Sequence, residues 1–190
     1  MGENLRAYMR LVEERSREHN KAFGILYPQG LFGTCAGIIR QEIDNLMRVD
    51  YLAFSIPLAD REQLCREALL GVRWQKHTPK GKLTDIRDVD FHTRAKNNHS
   101  WVSLVYQYSS KFIHLTNYWN YSASDPLATM PEDDRTEMAA YLTEYHGFTG
   151  DDLKMDDLIE YLPQVFEKIR SNVELYVEQQ DGLLLCPISQ

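Results

Sequence analysis

Cysteine is scarce in this 190-residue chain, and what there is excludes two kinds of scaffold. Cys35, Cys65 and Cys186 are odd in number, unrelated in spacing and include no C-x-x-C pair, so neither a disulfide framework nor a zinc cage is expected. Free thiols suit a reducing, intracellular setting. Long apolar runs are missing as well: nothing approaches the roughly 18 uninterrupted apolar residues that read as a bilayer span. The opening Met1-Gly2-Glu3-Asn4-Leu5-Arg6 has no basic start followed by an apolar stretch, so a cytoplasmic protein without membrane contact is expected. Cys186 stands fifth from the end rather than fourth, which excludes a prenylation box. Also missing are a phosphate-binding loop, a dinucleotide fingerprint, a zincin motif and a Gly-x-Ser-x-Gly elbow. The acidic pairs Asp151-Asp152 and Asp156-Asp157 lack the glycine and closing glutamate of a calcium loop. No metal and no cofactor are expected.

Positive charge is scarce overall, at a net −7, which argues against generic coating of nucleic acid. It is also segregated. Arg73 to Lys111 holds eight Lys/Arg against three Asp/Glu, leaving 13 basic and 25 acidic residues for everything else. Three of the six histidines fall in the same stretch, which is where a site is expected.

Helical periodicity dominates the remainder. Residues 4–23 place Leu5, Tyr8, Met9 and Val12 on one side, and the pattern stops before Pro28-Gln29-Gly30. Residues 31–54 repeat Leu31, Cys35, Ile38, Ile39, Glu42, Ile43, Leu46, Val49 and Ala53 at steps of three and four, a broad buried face. A third helix is capped by Asp60 and ends at Gly71. Residues 73–84 then read as two short extended pieces around Thr78-Pro79-Lys80-Gly81, a small hairpin projecting from the helical body. Thr84 or Asp85 caps a long helix whose core face is Trp101, Val105, Tyr108, Phe112 and Leu115. After an aromatic and then Ser/Asp/Pro-rich loop, Thr129-Met130-Pro131-Glu132 reads as a capping box for a helix ending at Gly147. A last helix from near Asp152 must kink or restart at Pro163, and Leu183-Leu184-Leu185 is expected to pack back on the body or on another subunit. The fold class is all-α: one domain over residues 1–190, a bundle of five or six helices with a hairpin-like insertion near 73–84.

Four groups of residues can carry chemistry. Arg-x4-His occurs twice, as Arg87/His92 and Arg94/His99. A fixed cation can hold a phosphate while an imidazole moves the proton of a ribose 2′-hydroxyl. An offset of five puts Arg94 and His99 on different sides of a straight helix, so a working pair needs a break near Asn97-Asn98. Across the copies the offset is seven, which would align Arg87 with Arg94 and His92 with His99. Phe112-Ile113-His114 with Tyr118 and Trp119 can line a pocket for a planar group, or His114 can be a core histidine bonded to Arg40, Asp44 or a carbonyl. Arg40 and Asp44, polar on an apolar helix, need partners. Trp74, Lys76, His77, Lys80 and Lys82 make a basic, aromatic finger suited to nucleic acid or an acidic partner. Each group has a structural counterpart: solvated charges, ordinary packing, a polar clasp, a solvated loop.

With these residues in view, the chain resembles the HEPN superfamily (higher eukaryotes and prokaryotes nucleotide-binding), closest to bacterial branches associated with abortive infection and phage defence. The residues that carry the likeness are the Arg-x4-His pairs, Phe112-Ile113-His114 at a helix end, and Arg40 to Asp44 followed by Tyr51-Leu52. Arg87-Asp88 follows the family habit of an Asn, Asp or His after the motif arginine; Arg94-Ala95 departs from it. The resemblance implies a helical, homodimeric, metal-independent ribonuclease or RNA-binding protein, a toxin or antiviral defence effector. Arg94 or Arg87 would hold phosphate, with His99 or His92 as general acid and base. The competing expectation is a non-catalytic interaction module docking a protein partner through residues 73–111, or a nucleotide-sensing bundle.

Overall fold

The computed structural model describes residues 2–78 and 80–178. Seven α-helices and one two-stranded hairpin follow in order: α1 Glu3–Leu26, α2 Phe32–Ser55, α3 Leu58–Leu69, β1 Gln75–His77, β2 Leu83–Asp85, α4 Asp88–Asn98, α5 Val102–Ser110, α6 Glu132–His146 and α7 Met155–Glu178. Short 3-10 turns occupy Tyr27–Gln29, Asn117–Asn120 and Pro126–Thr129. The chain is an all-α bundle.

α2 is the central element because it is apolar on nearly every side. Fifteen of its residues are buried, and α1, α4, α5 and α7 all pack against it. Its buried polar residues, Glu42, Asn45 and Asp50, must find partners there, and the strip of Arg40, Gln41, Asp44 and Arg48 reaches solvent. α3 fastens the ends of the first two helices. Arg61, buried, donates to the carbonyls of Ile56 (3.0 Å) and Ala53 (2.6 Å) where α2 ends. Its neighbour Glu62 accepts from the backbone N–H groups of Asn4 (2.8 Å) and Leu5 (3.1 Å) where α1 begins. These are the orphan donors and acceptors that any helix leaves at its termini.

The hairpin is antiparallel with Lys76 opposite Thr84, and Gly81 takes the left-handed conformation at its turn. The long helix expected over residues 86–115 is instead two. α4 ends at Asn98, His99 leaves helical geometry (φ −134°, ψ 83°), and α5 doubles back, so the described residues hold seven α-helices. Asp88 lies against Arg40 and Arg48, Asn98 lies against Asp50, and Ser110 returns to Arg40. α4 therefore runs along α2, and α5 runs back antiparallel to it.

Several local expectations are corrected. α4 is capped by Arg87, whose N–H donates to Asp90 at 2.9 Å, not by Thr84 or Asp85. α3 begins after Pro57 rather than at Asp60, and α6 begins after Pro131 with no side-chain cap, since the Thr129 hydroxyl bonds to the Pro126 carbonyl. Leu115 is 96% exposed because α5 has already ended. α7 continues through Pro163 without a restart. Gly147 closes α6 in the left-handed conformation, as expected. Leu183-Leu184-Leu185 and Cys186 lie outside the described residues. No helix among the described residues is long and apolar enough to cross a membrane.

Candidate functional site

The α4–α5 hairpin has a closed end and an open end, and the two Arg-x4-His copies go to opposite ends. The closed end is built on Asp50, a wholly buried carboxylate of α2. Asn98 Nδ2 (2.7 Å) and the Tyr176 hydroxyl (2.8 Å) both donate to its Oδ2. His99 Nε2 lies 3.7 Å from the same oxygen and 3.3 Å from the Tyr176 hydroxyl. Arg94 Nε faces Oδ1 at 4.0 Å, its guanidinium 5.4 Å from the Phe54 ring centre. The break that the Arg94/His99 spacing requires is present, at His99. It turns both side chains onto one internal carboxylate. Burial pushes the His99 imidazole below its ordinary range, against the opposing pull of Asp50. Burial, together with the neighbouring Asp50 carboxylate, holds the Tyr176 phenol firmly protonated. A charge buried in this way needs partners; the cluster supplies hydrogen bonds to Oδ2, whereas Oδ1 and the Arg94 Nε that faces it are buried without a hydrogen-bond partner among the described residues.

The open end forms a cleft of about 430 Å³. Arg40, Asp44 and Arg48 project from successive turns of α2, Arg15 from α1, Asp88 from the first turn of α4, and Tyr106, Ser110 and His114 from α5 and the segment after it. Arg40 is held on three sides: stacked 4.0 Å from the Tyr106 ring centre, donating to Ser110 Oγ at 3.2 Å, and donating to Asp88 Oδ2 at 3.1 Å. Arg48 stacks 4.6 Å from the Phe91 ring centre, donates to Asp44 at 2.9 Å and lies 4.0 Å from Asp88 Oδ1. Two guanidiniums thus bracket one exposed carboxylate. Stacking fixes their planes before any ligand arrives.

This cleft adjoins two others. A hollow of about 510 Å³ shares Tyr106, Ser110 and His114 with it, and another of about 300 Å³ shares Arg15 and Arg48. Along this groove of adjoining hollows lie Lys111, Arg40, Arg48, Arg15 and Arg73, interspersed with the carboxylates of Asp44, Asp88, Asp134 and Glu137.

Arg40, Asp44 and His114 do line one cleft, but not as a clasp. His114 is exposed, Asp44 pairs with Arg15 and Arg48, and Arg40 pairs with Asp88. The helix carrying His114 was expected to continue past it; its end at Ser110 swings the imidazole out to the rim. Arg87 and His92 do not align with Arg94 and His99, because α4 begins after the first and ends before the last. Arg87 is exposed at the cap. His92 packs against Tyr106 (ring centres 5.1 Å apart), and burial lowers its affinity for a proton. Trp74 is not a finger residue: it is buried between Tyr8 and Phe91 and donates to the Leu64 carbonyl at 2.7 Å. Lys76 is tied to Asp90 at 2.5 Å. Tyr118 is core, packed on Tyr108 and Phe112, whereas Trp119 lies at the surface and donates to the His114 carbonyl at 3.1 Å.

Sequence reasoning passed over Arg15, Arg48 and Asp88. Arg48 was visible as the third member of an i, i+4, i+8 series with Arg40 and Asp44; Arg15 and Asp88 come from other helices and carry no local sign. Glu42, expected on the buried face, is buried there, but its partners carried no sign in the sequence: it accepts from Ser16 Oγ (2.5 Å) and Asn45 Nδ2 (3.1 Å) and meets His19 Nδ1 at 2.6 Å. Among the described residues no group of His, Cys, Asp and Glu is arranged to hold a metal ion. The chain matches no protein-family model, no curated protein and no solved structure.

Proposed function

We propose that this protein acts on RNA, seating a phosphodiester between Arg40 and Arg48 in the α2–α4–α5 cleft with His114 beside it. The observation that carries the reading is the pair of aromatic-stacked guanidiniums converging on one exposed anion, Asp88, within a groove flanked by further cations. A phosphate offers the charge and oxygen spacing that paired arginines fit. The groove's length, three adjoining hollows, suits a strand rather than a single small ion.

His114 is the exposed imidazole on the cleft rim and is assigned the proton transfer. It takes the proton of the ribose 2′-hydroxyl as that oxygen bonds to phosphorus and the bond to the 5′-oxygen breaks. The leaving oxygen is protonated from water or the imidazolium, and a 2′,3′-cyclic phosphate results. Arg94 and His99 are assigned to holding Asp50. Of the residues that carry the likeness to the HEPN superfamily, Arg40 to Asp44 and Phe112-Ile113-His114 bear on this cleft and fit an RNA-directed role, while the Arg-x4-His pairs lie outside it.

The test is incubation of purified protein with labelled total and transfer RNA in EDTA, beside Arg40→Ala/Arg48→Ala, His114→Ala and Arg94→Ala/His99→Ala variants. Expected is cleavage or retention of RNA that is lost with Arg40 and Arg48. His114→Ala is expected to remove cleavage and spare binding. Activity lost only in a folded Arg94→Ala/His99→Ala variant would move the site to the closed end. Intact, unbound RNA in every lane would favour the interaction module, which has its own observation: Ile113, Leu115 and Trp119 form an exposed apolar rim.

A further inference from the structure

The arginine cleft accounts for a phosphate but not for the larger hollow that shares His114 with it. That hollow has apolar walls from Leu104, Met130 and Met138, and three charged groups: Lys111 after α5, Asp134 and Glu137 on α6. Asp134 and Glu137 are three residues apart and so share a helix face, and neither is ion-paired among the described residues. Asp134 lies in the first turn, where a carboxylate complements the helix dipole; Glu137 lies beyond it, where that reason lapses. Both residues line, from the solvent side, a cavity that shares Tyr106, Ser110 and His114 with the arginine cleft.

We propose that this hollow is a base-recognition subsite selective for guanine, so that the strand is engaged at guanosine. The inference rests on the reading of the cleft as a phosphate site. Flat apolar walls take the faces of a base and leave its edge to the charged groups. A carboxylate only accepts hydrogen bonds. The Watson–Crick edge of guanine presents two adjacent donors, N1–H and the N2 amino group, beside the O6 acceptor, which an ammonium can meet. Adenine and cytosine present one amino donor next to an unprotonated ring nitrogen, which a carboxylate repels, and uracil flanks its one donor with two carbonyls. Carboxylates and a lysine in one hollow therefore fit guanine and penalise the other three.

Calorimetric titration of the full chain with GMP, AMP, CMP, UMP, guanosine, adenosine and ribose 5-phosphate tests this. Expected is GMP binding at least about tenfold more tightly than the other nucleotides, the discrimination one bidentate pair supplies. In Asp134→Asn/Glu137→Gln that preference should collapse while ribose 5-phosphate binds as before; both residues are exposed, and circular dichroism checks the fold. Arg40→Ala should weaken every phosphate-bearing ligand alike and keep the guanosine-over-adenosine preference. Equal binding of the four nucleotides, or a GMP preference that survives the double substitution, overturns the subsite and leaves the phosphate cleft standing. Guanosine binding without ribose 5-phosphate binding overturns the cleft and leaves the subsite. No binding of any ligand overturns both.

Discussion

Single residues in this protein are set by what faces them across helices. Asp88 is half exposed and shared by two guanidiniums, so it stands where a ligand anion would stand. Asp88→Asn should release Arg40 from its ion pair and remove the anion beside Arg48, which stays paired with Asp44, and so strengthen RNA binding by up to about fivefold, the worth of an exposed ion pair, with little change in melting temperature; a filter-binding titration measures it. Asp50 is the opposite case. Removing it as Asp50→Ala leaves Asn98 and Tyr176 without their shared acceptor and Arg94 without the charge it faces, and denaturant unfolding should show a loss of about 3–5 kcal/mol, as for other broken buried pairs. Three histidines, His92, His99 and His146, are each held below the ordinary value of 6.5, with burial as the first cause. A depressed histidine is neutral in both states at high pH, and below 6.5 the unfolded chain takes up protons that the folded chain resists. Melting temperature should thus fall as pH drops from about 6.5 toward 5, and His99→Gln should flatten the fall.

At the scale of elements, α3 is a fastener whose two adjacent residues serve two other helices. Glu62 is held below the usual carboxylate range, chiefly by the Asn4 N–H, so its contribution is full above the ordinary glutamate value and lost as pH falls through the lowered one. Glu62→Gln should cost about 1 kcal/mol, as other lost N-terminal caps do, in urea unfolding at neutral pH. The helices were legible where one chain segment carries the whole cause. The i, i+3, i+4 series from Cys35 to Ala53 marks α2, Thr78-Pro79-Lys80-Gly81 marks the hairpin, and Gly147 marks the end of α6. The break at His99 was not, because Asn97-Asn98-His99-Ser100 contains neither proline nor glycine and is stabilised from outside by Asp50 and Tyr176. The same holds for the candidate site. Arg40 and His114 were readable as polar residues needing an explanation, but Arg15 and Asp88 join them only through packing of α1 and α4 on α2.

Over the whole molecule, a net charge of −7 coexists with hollows lined by five cations (Arg15, Arg40, Arg48, Arg73 and Lys111) and four carboxylates (Asp44, Asp88, Asp134 and Glu137), so binding should be local and salt dependent. If Arg40 and Arg48 share one phosphate of a single strand while Arg15 and Lys111 each meet another, log affinity against log salt should slope at about −2, and Lys111→Ala should reduce that by about 0.7. A flat salt response would count against the groove. The three tryptophans are unevenly placed: Trp74 and Trp101 are buried, while Trp119 is 41% exposed, edge-on to Phe112 and bonded to the His114 carbonyl. A Cβ at Gly33 would come within 2.8 Å of that indole, so the ring is seated on the start of α2 as well. The protein consequently carries its own optical gauge. Acrylamide or iodide in the buffer will darken Trp119 before the two shielded indoles, and occupancy beside His114 becomes visible as a change in quenching, without a label.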